Sequence, residues 1–376
     1  MLEQKEKFFI DSNSILTKGE FSRMKNENLT IVVLNWNGWK DAIELLSTIF
    51  EVDCRGISCN IVLIDNGSTD SSVPKLLEWF DKNRIKVFLL RKDDVLSCKD
   101  FNLDAYMNDE SNRKVILILN EDNYGYAGGM NIGITFAKNY LKADYIMLLN
   151  NDTTIVNRDF LLEMLAVFKN PKVGEKVGVV GPKVLNYYTN DIVPIDQYIL
   201  PIPFASVLMK LFDNIAVTNK HYNAGKPLIV NRLDGSCYIV KTKIIEEVGM
   251  LKEDFFTYWE DTDFFTRVKK HGYFIVLVPK SVIKHKIGAI NMSLKKVSAR
   301  ASYYFGRNAI HFINLHYKGL AKIALLFIFI LTSIYIFLAY SFYYHSLKAA
   351  KLFLLGIVRG LMKEKGRSPL LDSLLK

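Results

Sequence analysis

Between residues 29 and 285 the chain alternates short, uninterrupted apolar runs with stretches in which apolar residues recur every three or four positions. LTIVVLN (29–35) is apolar and β-branched, as suits a strand buried on both faces of a parallel sheet. Ala42, Leu45, Leu46 and Ile49 then repeat at helical spacing from about Asp41. NIVLIDN (60–66) reads as a second strand, ending in a Gly67-Ser68-Thr69-Asp70 turn that leads into a short helix. VILIL (115–119) and YIMLL (145–149) predict two more strands, with a glycine-opened helix over 128–141 between them. FFTRVKKHG predicts a helix and FIVLVP (274–279) a further strand. Such alternation argues for an α/β layer structure with a mainly parallel sheet. The charged segment 91–113 predicts a surface excursion. Residues 186–227, broken by Pro194, Pro201 and Pro203, predict an irregular insertion, within which ILPIPFASVLMKLF offers a membrane contact.

The pattern changes toward the end. Residues 323–344 carry no charge, no Gly and no Pro, and roughly 20 apolar residues suffice for a membrane-crossing helix. Lys318 and Lys322 precede the run, Lys348 and Lys351 follow it, and Tyr335, Tyr340, Tyr343 and Tyr344 are of the interfacial type. With both flanks basic, the positive-inside bias does not choose an orientation. The tail LKAAKLFLLGIVRGLMKEKGR suits a helix in the headgroup region, its cations toward anionic lipid. Two attachments stay open: a simple single pass, and a re-entrant segment kinked near Thr332-Ser333 with both flanks cytoplasmic. The division expected is a polar extension (1–28), a catalytic domain (29–292) and a helical attachment region (293–376).

Composition narrows this only slightly. A chain of 376 residues has room for one large core or two domains. A net charge of +10 fits an anionic membrane or a phosphorylated ligand. No nucleic-acid motif accompanies it, so no nucleic-acid partner is expected. The four cysteines, Cys54, Cys59, Cys98 and Cys237, lack metal or disulfide spacing and suit a cytoplasmic catalytic domain. The first 28 residues are polar and charged, and no signal peptide is expected of them.

Ligands of such sheets bind beyond the carboxyl ends of the strands. There the sequence places Asn35-Trp36-Asn37-Gly38, Asp65-Asn66 and Asn150-Asn151-Asp152. Asp65 can accept hydrogen bonds from a base or ribose, although Asp-Asn-Gly is equally good turn chemistry. The Asn150–Asp152 oxygens can hold Mg²⁺ or Mn²⁺, or simply cap a helix after the strand. Gly125-Tyr126-Ala127-Gly128-Gly129-Met130-Asn131 permits close backbone approach but is neither a dinucleotide fingerprint nor a P-loop. Glu260, Asp261 and Asp263 offer a general base, or merely acidic residues favoured at a helix start. His285 comes after the last strand and can complete a metal shell. Arg300, Arg307 and Lys318 among Tyr303, Tyr304 and Phe305 form a basic-aromatic belt that suits lipid or polyprenyl phosphates, or a solvated helix face packed on the catalytic domain.

The succession VVLNWNG, IDNGSTD, NYGYAGGMN, LLNND, DGSCYIV, FFTYWEDTDF and VIKH resembles the family-2 glycosyltransferases, especially the rhamnosyltransferase-like branch that builds surface polysaccharides. The likeness covers residues 30 to about 285. It implies a GT-A fold, a Rossmann-like mainly parallel sheet flanked by helices, with a C-terminal membrane-associated helical region. It further implies an inverting transferase using a nucleotide-diphosphate sugar, possible sugars being rhamnose or another hexose, and a divalent metal. Asn35, Asp65, Gly128, Gly129, Asn131 and Asn151 would bind the nucleotide sugar. Asp152, with Asn150 and His285, would hold the metal, and Asp261 would be the base with Glu260 beside it. Asn150 departs from the family pattern, which has a carboxylate there. The acceptor would be a saccharide or a polyprenyl-linked one, with membrane lipid as a further partner. Two alternatives accompany this reading: a polyprenyl-phosphate sugar synthase, and a catalytically inactive nucleotide-binding membrane scaffold.

Overall fold

The computed structural model describes residues 27–97, 103–109, 111, 113–195, 219–286, 290–291 and 296–375. Cys98, the 199–212 stretch, most of the 186–227 insertion and nearly all of the polar extension lie outside the described residues. The first half runs β1 (Glu27–Asn35), α1 (Trp39–Ile49), β2 (Ile57–Asp65), α2 (Ser72–Lys82), β3 (Lys86–Arg91), α3 (Lys92–Ser97), α4 (Leu103–Met107), β4 (Lys114–Leu119) and α5 (Gly125–Asn139). Then come β5 (Tyr145–Asn150), β6 (Thr153–Ile155), α6 (Phe160–Phe168), β7 (Val177–Asn186), α7 (Asn219–Asn223) and β8 (Leu228–Val230). They are followed by β9 (Cys237–Lys241), α8 (Thr242–Val248), α9 (Glu260–Lys270) and β10 (Phe274–His285).

These strands make one ten-stranded sheet in the order β3-β4-β2-β1-β5-β9-β7-β10-β6, with β8 also paired to β10. The first five in that order are parallel, β9 runs against both its neighbours, and β7 and β10 are parallel again. Strand side chains alternate between faces, and both faces are covered. Val32, Leu34, Val62, Ile64, Ile116 and Ile118 join one core with Met130 and Phe136 of α5. Leu29, Ile31, Val33, Leu63, Val115 and Leu117 join the other with Ala42, Leu45, Leu46 and Ile49 of α1. The unbroken apolar runs are thus explained by burial on two sides.

Two expectations change. The 91–113 segment is more than an excursion: Val95 and Tyr106 are buried in the core, and the Tyr106 hydroxyl donates to Asn60 Oδ1 at 2.9 Å. The helix expected from 128 starts at Gly125, whose φ of 73° suits glycine.

Beyond a two-residue hairpin, β11 (Ile290–Asn291) with β12 (Lys296–Val297), the chain is helical: α10 (Ala299–His316), α11 (Gly319–Leu338), α12 (Leu347–Leu361) and α13 (Pro369–Leu375). α11 passes into a π-helical turn, Ala339–Tyr343, giving a largely exposed helix of 25 residues that is long and apolar enough to cross a membrane. At Thr332-Ser333, where a re-entrant kink is expected, the chain stays helical. Both hydroxyls donate to the Phe329 carbonyl and the helix runs on. The reversal comes later, where His345 has φ 50° and Ser346 N–H donates to the Tyr340 carbonyl at 2.8 Å. α12 does not lie free: Ala349, Ala350, Phe353, Gly356, Ile357 and Gly360 form its buried face. A Cβ on Gly356 would stand 2.1 Å from the Tyr303 carbonyl oxygen, so α10 and α12 touch backbone to backbone.

Candidate active site

Register assembles the first part of the site. β2, β1 and β5 are neighbours, with Asn35 paired to Asp65 and Leu34 to Asn150, so three polar strand ends share one edge. The buried Asn35 amide donates to Asp65 Oδ2 at 3.0 Å, and Asn151 Nδ2 donates to Asn35 Oδ1 at 3.1 Å. Ser68 closes the turn, donating its N–H to Asp65 Oδ1 (3.0 Å) and its hydroxyl to Oδ2 (2.6 Å). Asp65 therefore serves the turn and also faces the edge. Gly38 lets Asn151 come close, since a Cβ there would lie 2.6 Å from Asn151 Nδ2 and push that amide aside.

The second part is built by the β6–β10 pair. His285 stands opposite Thr153, and Lys286 N–H donates to the Asp152 carbonyl at 3.0 Å. His285 Nε2 lies 3.2 Å from Asp152 Oδ1, and its Nδ1 lies 3.8 Å from Asp234 Oδ1. Burial by itself would push the imidazole down, but the Asp152 charge and hydrogen bond, aided by Asp234, raise it to about 9. For Asp152 burial acts upward and the His285 charge prevails, holding the carboxyl below its ordinary range. Asn150 Oδ1 and Asp234 Oδ2 are buried without a hydrogen-bond partner, and orphaned buried oxygens need an account. Among the described residues no three His, Cys, Asp or Glu side chains converge as a finished metal cage. The donors present still fit Mg²⁺ or Mn²⁺, which take few protein oxygens and complete their shells with water and substrate phosphate. Asp234 is a site residue that the sequence leaves unassigned within DGSCYIV. Its signal there is a carboxylate just before an apolar strand, and only the sheet order shows it facing His285.

Glu260 and Asp261 open α9 and are reached through an unusual loop. Phe256, Tyr258 and Trp259 have φ of 64°, 63° and 76°, a region that bulky residues rarely occupy. Burial holds the Asp261 carboxyl above its usual range, against the opposing hydrogen bonds of Thr262 N–H (2.6 Å) and hydroxyl. Burial, and then the Asp261 charge, pushes Glu260 well up, and Glu260 Oε2 has no hydrogen-bond partner. A Cβ on Gly235 would stand 2.2 Å from Asp261 Oδ2. The loop 234–236 therefore touches the His285 group through Asp234 and the Asp261 group through Gly235. Asp263 belongs elsewhere: fully buried, it pairs with Arg267 and His316, each at 2.8 Å.

Three expected donor contacts sit beneath the edge. A Cβ on Gly129 would lie 2.5 Å from Leu34 Cδ1, and one on Gly128 would lie 2.9 Å from Tyr124 Cβ. Asn131 donates to the Leu251 carbonyl and to Glu253 Oε1, both at 2.9 Å, and accepts from Leu251 N–H at 3.1 Å. All three pack α5 against its surroundings. The basic-aromatic belt is likewise drawn inward, since Arg307, Tyr303 and Tyr304 are fully buried. Arg300 stays partly exposed, paired with Asp372 at 2.7 Å and 5.8 Å from the centre of the Trp36 ring.

A mainly parallel sheet flanked by helices, with polar strand ends gathered at one edge, is an architecture of the GT-A type. The family model described as glycosyl transferase family group 2 matches residues 145–361, and the chain belongs to that family. It is similar to the low-salt glycan biosynthesis hexosyltransferase Agl10 of Haloferax volcanii, 23% identical over 246 residues, which are 65% of this chain and 63% of that protein. The chain thus spans somewhat under two thirds of that relative's length. The fold is similar to that of the mannosyltransferase PcManGT from Pyrobaculum calidifontis, solved with GDP-Man and Mn²⁺. The TM-score is 0.50 at 14% identity, covering 89% of this chain and 87% of that one.

Proposed function

We propose that this protein is an inverting, metal-dependent hexosyltransferase acting at a membrane surface. Its donor is a nucleotide-diphosphate sugar, and its acceptor a saccharide carried on a polyprenyl or similar lipid. The observation carrying this reading is that loop 234–236 brings two sets of residues together: Asp152–His285–Asp234 with its orphaned oxygens, and the raised carboxyl of Asp261. The hexosyltransferase relative and the GDP-Man- and Mn²⁺-bound fold neighbour agree with it.

In this reading Asn35, Asp65 and Asn151 hold the nucleoside, and Asp152, Asn150, Asp234 and His285, the last after releasing its extra proton to solvent as the cation binds, would supply the metal's protein donors. A bound Mg²⁺ or Mn²⁺ would neutralise the departing diphosphate. Asp261 accepts the proton of the attacking acceptor hydroxyl at a carboxylate oxygen, and burial, aided by the charge of Asp234, keeps that oxygen's proton affinity high. Direct attack by that hydroxyl inverts the anomeric carbon.

The catalytic domain, 29–292, is placed on the cytoplasmic side, with 293–376 attaching it to lipid. Both ends of α11 stay with the catalytic domain, because His316 pairs with Asp263 and Arg367, beyond α12, pairs with Asp122 at 2.7 Å. We therefore place the apolar helix in or along one leaflet, with both flanks on one side.

The test is a donor screen on detergent-solubilised protein, following nucleoside diphosphate release with Mn²⁺ or Mg²⁺ and then with chelator. One donor should be hydrolysed slowly in a metal-dependent way. Asp152→Ala should lower that turnover by about 10³-fold, of the order seen when one electrostatic stabiliser is removed, while the protein stays folded. An active Asp152→Ala protein would remove the metal role.

A further inference from the structure

The loop that presents Glu260 and Asp261 is held from outside the sheet. Phe256, Tyr258 and Trp259 all have φ between 60° and 80°, and such conformations are costly and persist only when the surroundings over-determine them. The surroundings here are two adjacent, fully buried side chains of α10. Asn308 Nδ2 donates to the carbonyls of Phe255 (2.9 Å), Thr257 (2.8 Å) and Tyr258 (2.8 Å). Arg307 donates to the carbonyls of Phe255 (2.9 Å) and Asp254 (3.4 Å), and to Asn308 Oδ1 at 2.9 Å through Nε. Its other nitrogen, Nη1, donates to the Gly366 carbonyl at 2.6 Å.

We propose that Arg307 and Asn308 are positioning residues for the transfer reaction: they clasp the carbonyls of 254–258 and so fix where Glu260 and Asp261 stand. The inference rests on the proposed role of Asp261 and adds residues that touch neither donor nor acceptor. Asp254, Phe255, Thr257 and Tyr258 all offer carbonyls to α10, and a helix interior supplies such donors only from side chains. Arg307 also ties this clasp to the tail at Gly366, which lies beyond the span matched by the family model. The segment that leads into the apolar helix α11 is therefore the same one that sets the catalytic carboxylates.

The experiment compares the full chain with Asn308→Ala and Arg307→Lys in detergent. Amide hydrogen exchange is read over 254–263, and metal-dependent hydrolysis is read with UDP-glucose, GDP-mannose and dTDP-rhamnose. Both variants should exchange faster over 254–263, by about tenfold or more, with the β1, β2 and β5 peptides unchanged. Turnover number should fall by about 100-fold, the scale of an ångström-sized misplacement, while KM for the donor and affinity for UDP or GDP stay within about threefold. Unchanged exchange over 254–263, or unchanged turnover despite faster exchange, overturns the proposal. So does a loss shared equally by nucleotide affinity and turnover, or a failure of both variants to fold, since either assigns the pair to folding alone. Asp261→Asn separates the two levels. If that variant keeps full turnover, the base assignment fails; if it is inactive while Asn308→Ala is normal, only the positioning fails.

Discussion

At the scale of single residues, the site depends on close contacts that one atom can spoil. Gly235 has no room for a Cβ, which would fall 2.2 Å from Asp261 Oδ2. Gly235→Ala should therefore push Asp261 aside and lower turnover by about 100-fold, with donor affinity nearly kept. A kinetic comparison of kcat and KM would show it. Asp261 also dictates a pH response. Burial raises its proton affinity, and in its proposed role as base it must be deprotonated to act. Activity should then rise with pH through a value above the ordinary carboxylate range, and fall below it. A kcat–pH profile whose acid limb lies at the usual aspartate value would contradict that placement.

Between elements, the joint of α9 with α10 is the clearest dependency. Asp263 on α9 binds Arg267 of its own helix and His316 at the end of α10. Burial acts to raise this carboxyl, but the His316 hydrogen bond and the Arg267 charge outweigh it and hold Asp263 below its usual range. A depressed carboxyl contributes stability that is complete above the unfolded-state value and is lost as pH falls through the folded one. Asp263→Asn should cost about 3–5 kcal/mol, as for breaking one side of a buried pair, and should flatten the acid side of the stability–pH curve. Chemical denaturation at several pH values checks both. None of this is legible in the sequence, where Asp263 is the third acid of a cluster and nothing marks His316 as its partner. The legible features were those set by local period: the four buried positions of α1 and the apolar strands with polar ends. Strand order could not be read, and it alone brings Asp234 to His285. Nor could the inward turn of Arg307 and Tyr303, because the same residues at helical spacing suit a lipid-facing belt equally well.

Across the whole molecule, the proposed attachment to lipid has to suit a chain whose two ends of α11 are both anchored to one domain. Phe327, Ile330, Ile334, Leu338 and Phe342 lie exposed along α11, and Leu354, Val358 and Leu361 along α12. Phe353 meets Phe329 and Tyr340, at ring separations of 6.4 and 5.7 Å, so α12 returns along the end of α11. A single crossing would carry α12 and α13 to the far side, which would break the backbone contact of Gly356 with Tyr303 and the Arg367–Asp122 pair. Embedding in one leaflet keeps both, with Lys318, Lys348 and Lys351 exposed toward headgroups. The full chain should float with anionic vesicles. Ile330→Asp with Ile334→Asp should release it, since a charge in hydrocarbon costs about 3 kcal/mol, without loss of donor hydrolysis in detergent. Labels placed at position 365 and on the catalytic domain should be accessible from the same side of sealed vesicles. A protected residue 365 beside an accessible catalytic domain would instead require α11 to cross, and the α10–α12 contact to form only after release from the bilayer.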